Sequence, residues 1–413
     1  MTIASGVAKK VVAAVQVAKG TQAAAGAASK IYLRRTTSTI DLSKETYQSN
    51  EMREDGQVAD FRHGVKSVSG TLSSELAPGT QNLFIPGLLR KAWTAGSSSG
   101  ALADVTAAVT TGAAGTFTTV AADFMTLGFK IGDVVRWTGW LTTGAPNNDH
   151  NFMITALTAT VMTGYMLDGV AVGPKAAGDS VTCTVVGKKC WTPTSAHTND
   201  FFTIEHYYSD IDLSEVFIDC KVASMAIRLP PTGMATVENS IIGLNMIGYT
   251  SGTSPYFTSP AASGTGGVLA AINGALFVGG TMVALLTGMD FTINGNVVAA
   301  DPVVGSNIKP DIFVGKLNVT GNMTVYFEDA TFRDYFVNET EVSVCAAFTT
   351  SNLPAADIMA FTMSRVKVGG SSKDDGEKGL IQTMPFTALL NTAGSATLAN
   401  LATTLSIQDS LAV

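Results

Sequence analysis

Charge is scarce in this chain. Charged side chains make up 14% of its 413 residues, against roughly 25% in an average soluble protein, and Ser, Thr, Gly and Ala stand in their place. Cysteine is scarcer still. Cys183, Cys190, Cys220 and Cys345 are too few for a disulfide framework in this length, and they show neither a CxxC pair nor a His-paired zinc spacing. They read as buried thiols of a chain that folds in a reducing cytoplasm. The four histidines, His63, His150, His197 and His206, include no pair at helical i, i+4 spacing, so a zinc site lacks support. Disorder is excluded by a hydrophobic fraction of 46%. Collagen is excluded because 41 Gly and 13 Pro follow no triplet period.

A membrane span is the next absence. Val11–Ala18 follows Lys9-Lys10 but is broken by Gln16 and stopped by Lys19, which makes it an arm or strand rather than a signal segment. Val268–Met289 lies in a charge-free stretch between Glu238 and Asp290. Its glycines, Asn273 and Thr281, and the lack of a basic flank, favour a buried hairpin turning at Asn273-Gly274. No span is expected.

Charge is also unevenly placed. Residues 1–98 carry twelve basic against seven acidic side chains, net +5; residues 99–190 are net −1; residues 191–413 carry nine against twenty, net −11. Scattered basic residues and an acidic total of −7 would repel phosphates, so no nucleic-acid reader is expected.

What is present is β-pattern. Val65–Leu76 and Lys316–Phe327 alternate apolar and polar positions, and Asn294-Gly295 predicts a second hairpin between Phe291–Ile293 and Asn296–Ala299. Helical spacing is confined to Gln81–Trp93, where Pro86 restricts the start, and Ala330–Asn338. Residues 95–115 read as a small-residue linker. Beyond them Gly132–Trp137, Phe152–Ile154, Ala159–Val161 and Thr182–Val186 predict a small inserted barrel or sandwich. The expected organisation is 1–98 as an N-terminal arm and first part of a β core, 99–190 as the insert, and 191–413 as the rest of the core. A repeat supports a duplicated core. Asp60-Phe61 with Val65–Gly70 matches Asp311–Phe313 with Lys316–Gly321, and Glu215–Leu229 reads as a looser third copy.

Catalytic motifs fail their own tests. Gly96-Ser97-Ser98-Ser99-Gly100 spells G-x-S-x-G, but neither a preceding apolar strand nor a following helix frames it. Asp374, Asp375 and Glu377 lack the spacing of a calcium loop. Gly264–Gly267 is not framed as a phosphate loop. The chain is expected to be no enzyme and to hold no cofactor and no metal.

Three stretches carry a resemblance. Tyr47–Gln57 followed by Val65–Leu76, then Asp311–Asn338 with Gly321–Phe327, and finally Asp374–Gly379 leading to Pro385–Ala388 are similar to tail tube proteins of long, non-contractile bacteriophage tails. The resemblance spans residues about 31–95 and 191–413. It implies packed antiparallel sheets with a flanking helix, and rings whose inner strands form a continuous β-barrel. Stacked rings would make a tube through which genomic DNA passes without specific binding. On this resemblance the chain is a structural virion protein. It is made and assembled in the host cytoplasm, resides in the virion tail, and contacts its own copies and other tail proteins. A duplicated core makes the ring a trimer with pseudo-six-fold symmetry; a single core makes it a hexamer. Glu75, Glu215, Glu328 and Asp329, on or beside predicted strands, are the candidate lumen-facing acids. The insert would sit on the tube exterior. Another β-rich virion or surface protein such as an adhesin is the competing reading, with a β-sandwich hydrolase behind it.

Overall fold

Alternation dictates the longest strands. Phe61–Glu75 turns Val68 and Leu72 to the core and Ser67, Ser69, Thr71, Ser73 and Glu75 to the other face. The computed structural model describes residues 3–375, 377 and 379–413 of this mainly β chain, and Gly376 and Lys378 of the Asp374–Gly379 run lie outside the described residues.

One antiparallel sheet runs through eight strands in a row. Its order is Asp41–Gln48, Phe61–Glu75, Thr236–Gly243, the second half of Leu213–Leu229, Leu286–Asn294, Asn318–Tyr326, Ile381–Ala388, and the interrupted edge Ile358–Val368 with Ser372–Lys373. Two strands of this row leave it to build a second layer. The first half of Leu213–Leu229 pairs with Phe202–Tyr208 and Asn245–Tyr249. Ile358–Val368 pairs from Ile358 to Val366 with Val342–Thr349. The switch in Leu213–Leu229 occurs at a bulge beside Asp219, which takes φ +57° and accepts a hydrogen bond from the Gly20 N–H at 2.7 Å. Between the layers lies one apolar core, including Val68, Phe217, Ile227, Phe291, Val319 and Phe361.

The molecule is built twice from the same unit. Phe61–Glu75 pairs with Thr236–Gly243 from Val68↔Gly243 to Glu75↔Thr236. Asn318–Tyr326 pairs with Ile381–Ala388 from Val319↔Ala388 to Tyr326↔Ile381, in the same register. The bulge between the layers recurs as well, at Phe202/Ile204 and at Val342/Val344. Lys9–Val15 with Ile31–Tyr32 has its counterpart in Gly274–Val278 with Thr281–Met282. In each unit a short helix follows the strand that carries the sequence repeat: α1, Phe84–Leu89, and α2, Thr331–Val337. Both are shorter than their sequence windows. α1 ends where Arg90 takes φ +62°.

The insert interrupts only the first unit, between α1 and Phe202–Tyr208. Seven strands form its sheet in the order Ser98–Leu102, Val181–Val185, Val134–Thr138, Phe152–Leu157, Val161–Met166, Ala114–Thr118, Thr106–Thr111. They pack on an aromatic cluster that includes Phe117, Trp137 and Phe152. Although it leaves the chain from unit one, it docks on unit two. Val134 and Met153 pack with Cys345, Ala347 and Ala360 on the back of the second layer. Lys189 lies on the strand Lys188–Trp191, which leaves the insert to pair with Ser406–Asp409 beside Ile358–Val368 of unit two, and its ammonium meets the insert's Asp133 carboxylate at 2.8 Å, both side chains 6% exposed. Gln408 donates to the carbonyls of Val134 and Val186.

Several local expectations are corrected. The supposed linker at 95–115 contains the strands Ser98–Leu102 and Thr106–Thr111, because Ala and Thr there pair with Val181–Thr184 and Ala114–Thr118. Asn273-Gly274 is not a hairpin turn: Ala271–Asn273 is a 3-10 turn, and the hairpin reverses at Gly279-Gly280. Asn294-Gly295 is not one either. Leu286–Asn294 pairs with Asn318–Tyr326, and Val297–Ala299 pairs with Ile312–Val314, so the hairpin reverses between Ala300 and Asp311. Glu215–Leu229 is no third copy of the repeat; its counterpart is Ile358–Val368. All four cysteines are buried and free. Among the described residues no helix is long and apolar enough to cross a membrane.

Candidate functional site

The eight-strand sheet has one face on the core; among the described residues no layer covers the other, apart from its Ile242 end, where Val297–Ala299 packs. Register places the unburied side chains in rows. Glu75, Thr236, Arg228, Asp290, Asn322 and Pro385 make one row; Ser73, Glu238, Ala226, Thr292, Thr320 and Thr387 make the next. Half of these twelve side chains are short hydroxyls or amides. Hydroxyls on this face bond across strands: Ser43 Oγ to Ser67 Oγ at 2.8 Å, Thr39 Oγ1 to Thr71 Oγ1 at 3.2 Å, and Ser73 Oγ to the Glu238 carboxylate at 3.2 Å. Each such pair contributes roughly 0.2–1 kcal/mol to the sheet. The face thus sets the carboxylates of Glu75, Glu238 and Asp290, with Arg228 and Lys367, on a ground of short polar side chains.

Of the four sequence candidates, the structure puts Glu75 on this face. Glu215 lies in the second layer, where it accepts a hydrogen bond from Tyr208 Oη at 3.2 Å. Burial, then the Glu215 charge, pushes that phenol up to about 12. Glu328 and Asp329 sit past the end of Asn318–Tyr326, at the start of α2, beside a groove lined by Phe332 and Tyr335. The Thr331 N–H bonds Asp329 Oδ1 at 2.8 Å and holds that carboxyl below the usual range. The sequence reading missed Asp41, Glu238, Asp290 and the single arginine Arg228. Their signal was available only in part: Thr236, Glu238 and Ser240 alternate with Val237, Asn239 and Ile241, which gives the face but not its neighbours.

The sheet's two ends are the other feature of the site. Among the described residues, Asp41–Gln48 pairs along one edge alone, with Phe61–Glu75. Ser372–Lys373 pairs along one edge alone, with Ile381–Ala388. Two open edges at opposite ends of one long sheet invite addition of further strands.

A family model described as phage tail tube protein matches residues 6–388. The chain belongs to the phage tail tube protein family. A comparison with curated proteins finds no match. In this tail tube protein the G-x-S-x-G stretch runs into a strand, Ser98–Leu102, paired with Val181–Val185. Ser98 opens an exposed strand rather than a nucleophile elbow. The histidines do not converge on it. His206 is buried against Phe217, with ring centroids 4.9 Å apart, and His150 pairs with Asp168. Among the described residues no group of three His, Cys, Asp or Glu side chains is placed to hold a metal ion.

Proposed function

We propose that this tail tube protein is the wall segment of a conduit for genomic DNA, with the hydroxyl face of the eight-strand sheet lining the lumen. The observation that carries the reading is the combination, in one sheet, of a Ser/Thr/Asn face with scattered carboxylates and two unpartnered edges. Ring closure would remove both edges. Carboxylates at Glu75, Glu238 and Asp290 would keep the phosphate backbone off the wall, so that DNA passes without being held.

The layer order supports an outside for the insert. From one side to the other come the hydroxyl face, its sheet, the shared core, the second layer, and the insert on that layer's back. The boundaries 1–98, 99–190 and 191–413 thus separate lumen-forming core from an exterior decoration. Two units per chain favour a trimer with pseudo-six-fold symmetry over a hexamer. Rings would stack through a heterologous contact that does not close, which is how a filament grows. The basic first part and the acidic last part would meet across successive rings, and other tail proteins would cap the stack. The role is structural, without catalysis, in the virion tail after assembly in the host cytoplasm.

Electron microscopy of the purified protein tests this. Hollow tubes or stacked rings are the expected particles. Discrete monomers or solid fibres would favour an adhesin-like surface protein instead.

A further inference from the structure

The junction between the two units inside one chain is a finished interface, and its parts recur unfinished at the two ends of the molecule. Three features match. At the internal junction Leu213–Leu229 of unit one pairs with Leu286–Asn294 of unit two, from Ser224↔Asn294 through Ala226↔Thr292 to Arg228↔Asp290. The unit-two counterpart of the first strand is the edge running from Lys367 to Asp374, because Lys221 faces Ile242 as Lys367 faces Thr387, and Ala226 faces Glu238 as Ser372 faces Thr383. The unit-one counterpart of the second strand is Thr39–Ser43, because Asp41 faces Ser69 as Thr292 faces Thr320.

The second feature is the hairpin beyond that strand. In unit two Val297–Ala299 pairs with Ile312–Val314, and this hairpin packs on unit one: Val297 and Ile312 are buried with Phe201, Ala223 and Leu244, and Arg90, at the end of α1, donates to the Gly315 carbonyl at 2.6 Å. In unit one the same pairing is Thr46↔His63 to Gln48↔Phe61, closed by the same backbone bond, Ser49 N–H to Asp60 O at 3.0 Å against Ala300 N–H to Asp311 O at 2.8 Å. Among the described residues this hairpin covers nothing. Phe61 is 55% exposed and Met52 fully so. At the other end of the molecule α2 is correspondingly bare, with Phe336 43% and Val337 65% exposed.

The third feature is the segment before each unit. Leu269 is buried and bridges the two strands of unit one, its N–H bonding the Leu76 carbonyl and its carbonyl accepting from the Ala235 N–H, both at 2.9 Å. The turn that follows it, Asn273 N–H to Ala270 O at 3.1 Å, is repeated at the N-terminus as Ala8 N–H to Ser5 O at 3.1 Å. The strand pair it would bridge in unit two is present: Phe327 N–H bonds Leu380 O at 2.8 Å, as Leu76 N–H bonds Ala235 O.

From these correspondences we infer that the partner of each end is a second copy of this chain, joined by a replica of the internal junction, in a fixed register. Gly370 of one copy faces Ser43 of the next, Ser372 faces Asp41 and Asp374 faces Thr39. The next copy's Ser49–Asp60 hairpin packs on unit two beside the end of α2, and its Ser5 turn sits at Gly379. This deepens the tube reading and rests on it: the tube requires some edge-to-edge contact, whereas the register states which residues meet.

Cysteine pairing tests the register, since the four native thiols are buried. Single variants Asp41→Cys and Ser372→Cys are mixed, allowed to assemble and oxidised; Ser5→Cys with Gly379→Cys forms a second mixture. Both mixtures are expected to give a covalent dimer that neither variant gives alone. Asp41→Cys mixed with Gly370→Cys, offset by two residues on the same face, is expected to give at least tenfold less. Rings or tubes that form while the offset pair crosslinks preferentially, or while neither matched pair crosslinks, overturn the register and leave the tube reading intact. A wild-type protein that forms no rings or tubes under the same conditions overturns the tube reading itself.

Discussion

Gly70 and Gly321 stand at the same position of the two units, and each is hemmed in by the backbone of the strand beside it. A Cβ on Gly70 would lie 2.5 Å from Ile40 Cα and from the Thr39 carbonyl oxygen; one on Gly321 would lie 2.7 Å from Phe291 Cβ and closer still to the Asp290 carbonyl. Ile40 and Phe291 are themselves counterparts. The glycine of the sequence repeat is thus a close-approach residue used twice.

Replacing either glycine by alanine is therefore expected to destabilise the chain by about 1–3 kcal/mol, through forced backbone shifts. Gly248, with nothing within 4 Å of its missing Cβ, is the control; its alanine variant should stay within about 0.5 kcal/mol of wild type. Urea unfolding monitored by tryptophan fluorescence measures all three.

The clasp between insert and unit two depends on a buried ion pair. Lys189→Met alone leaves Asp133 buried and uncompensated, and should cost about 3–5 kcal/mol. Burial already lifts the Asp133 carboxyl above its usual range. The double variant Lys189→Met with Asp133→Leu should recover much of that loss. A double variant as unstable as the single one, in the same unfolding assay, would contradict this account of the clasp.

Acid sensitivity should have one identifiable source in His206. Burial, then the charges of Lys9 and Arg35, lowers its pKa from 6.5 to about 3. The unfolded chain therefore takes up this proton first, so the stabilising difference is complete above pH 6.5 and is lost as pH falls toward 3. Asp409 works the other way: burial raises it from 3.8 to about 6, and the folded state gains relative stability as pH falls through that window. Comparing wild type with His206→Asn isolates the first effect. The stability difference between them should shrink steadily from pH 7 to pH 4, and a constant difference would refute the assignment.

Lumen electrostatics make a kinetic prediction. Lysines introduced at Thr292 and Thr320, adjacent positions on the hydroxyl face, should bind passing phosphates and slow DNA ejection from assembled particles, with the delay fading at higher salt. Unchanged ejection at low salt would remove the electrostatic role while leaving the fold untouched.

How much of this was legible beforehand divides along the range of the interactions. The repeat was, because Gly70 and Gly321 and their alternating neighbours are local patterns. The insert's strong strands were too, since Val134–Thr138 and Phe152–Leu157 are rich in large apolar residues. Thr106–Thr111 was not, because its Ala and Thr acquire strand character only from the neighbour they pair with. Asn294-Gly295 misled because a local turn signal stands where Leu286–Asn294 simply continues into its own hairpin arm. The lumen face was half legible. Polar alternation marks Glu75 and Glu238 individually, yet only pairing places Arg228 and Asp290 in the same row. Glu328 and Asp329 do lie beside a strand, as expected, but the strand's last apolar positions run into the helix start without a break, which hides that they leave the sheet face.

The most direct test of the whole account is a cross-section of the assembled tube at side-chain resolution. The account predicts a continuous wall of strands, Glu75, Glu238 and Asp290 pointing into an open channel, and the residue 99–190 module on the outer surface. A tube whose channel is lined by the insert or by the back of the second layer, with the hydroxyl rows facing outward, would contradict it.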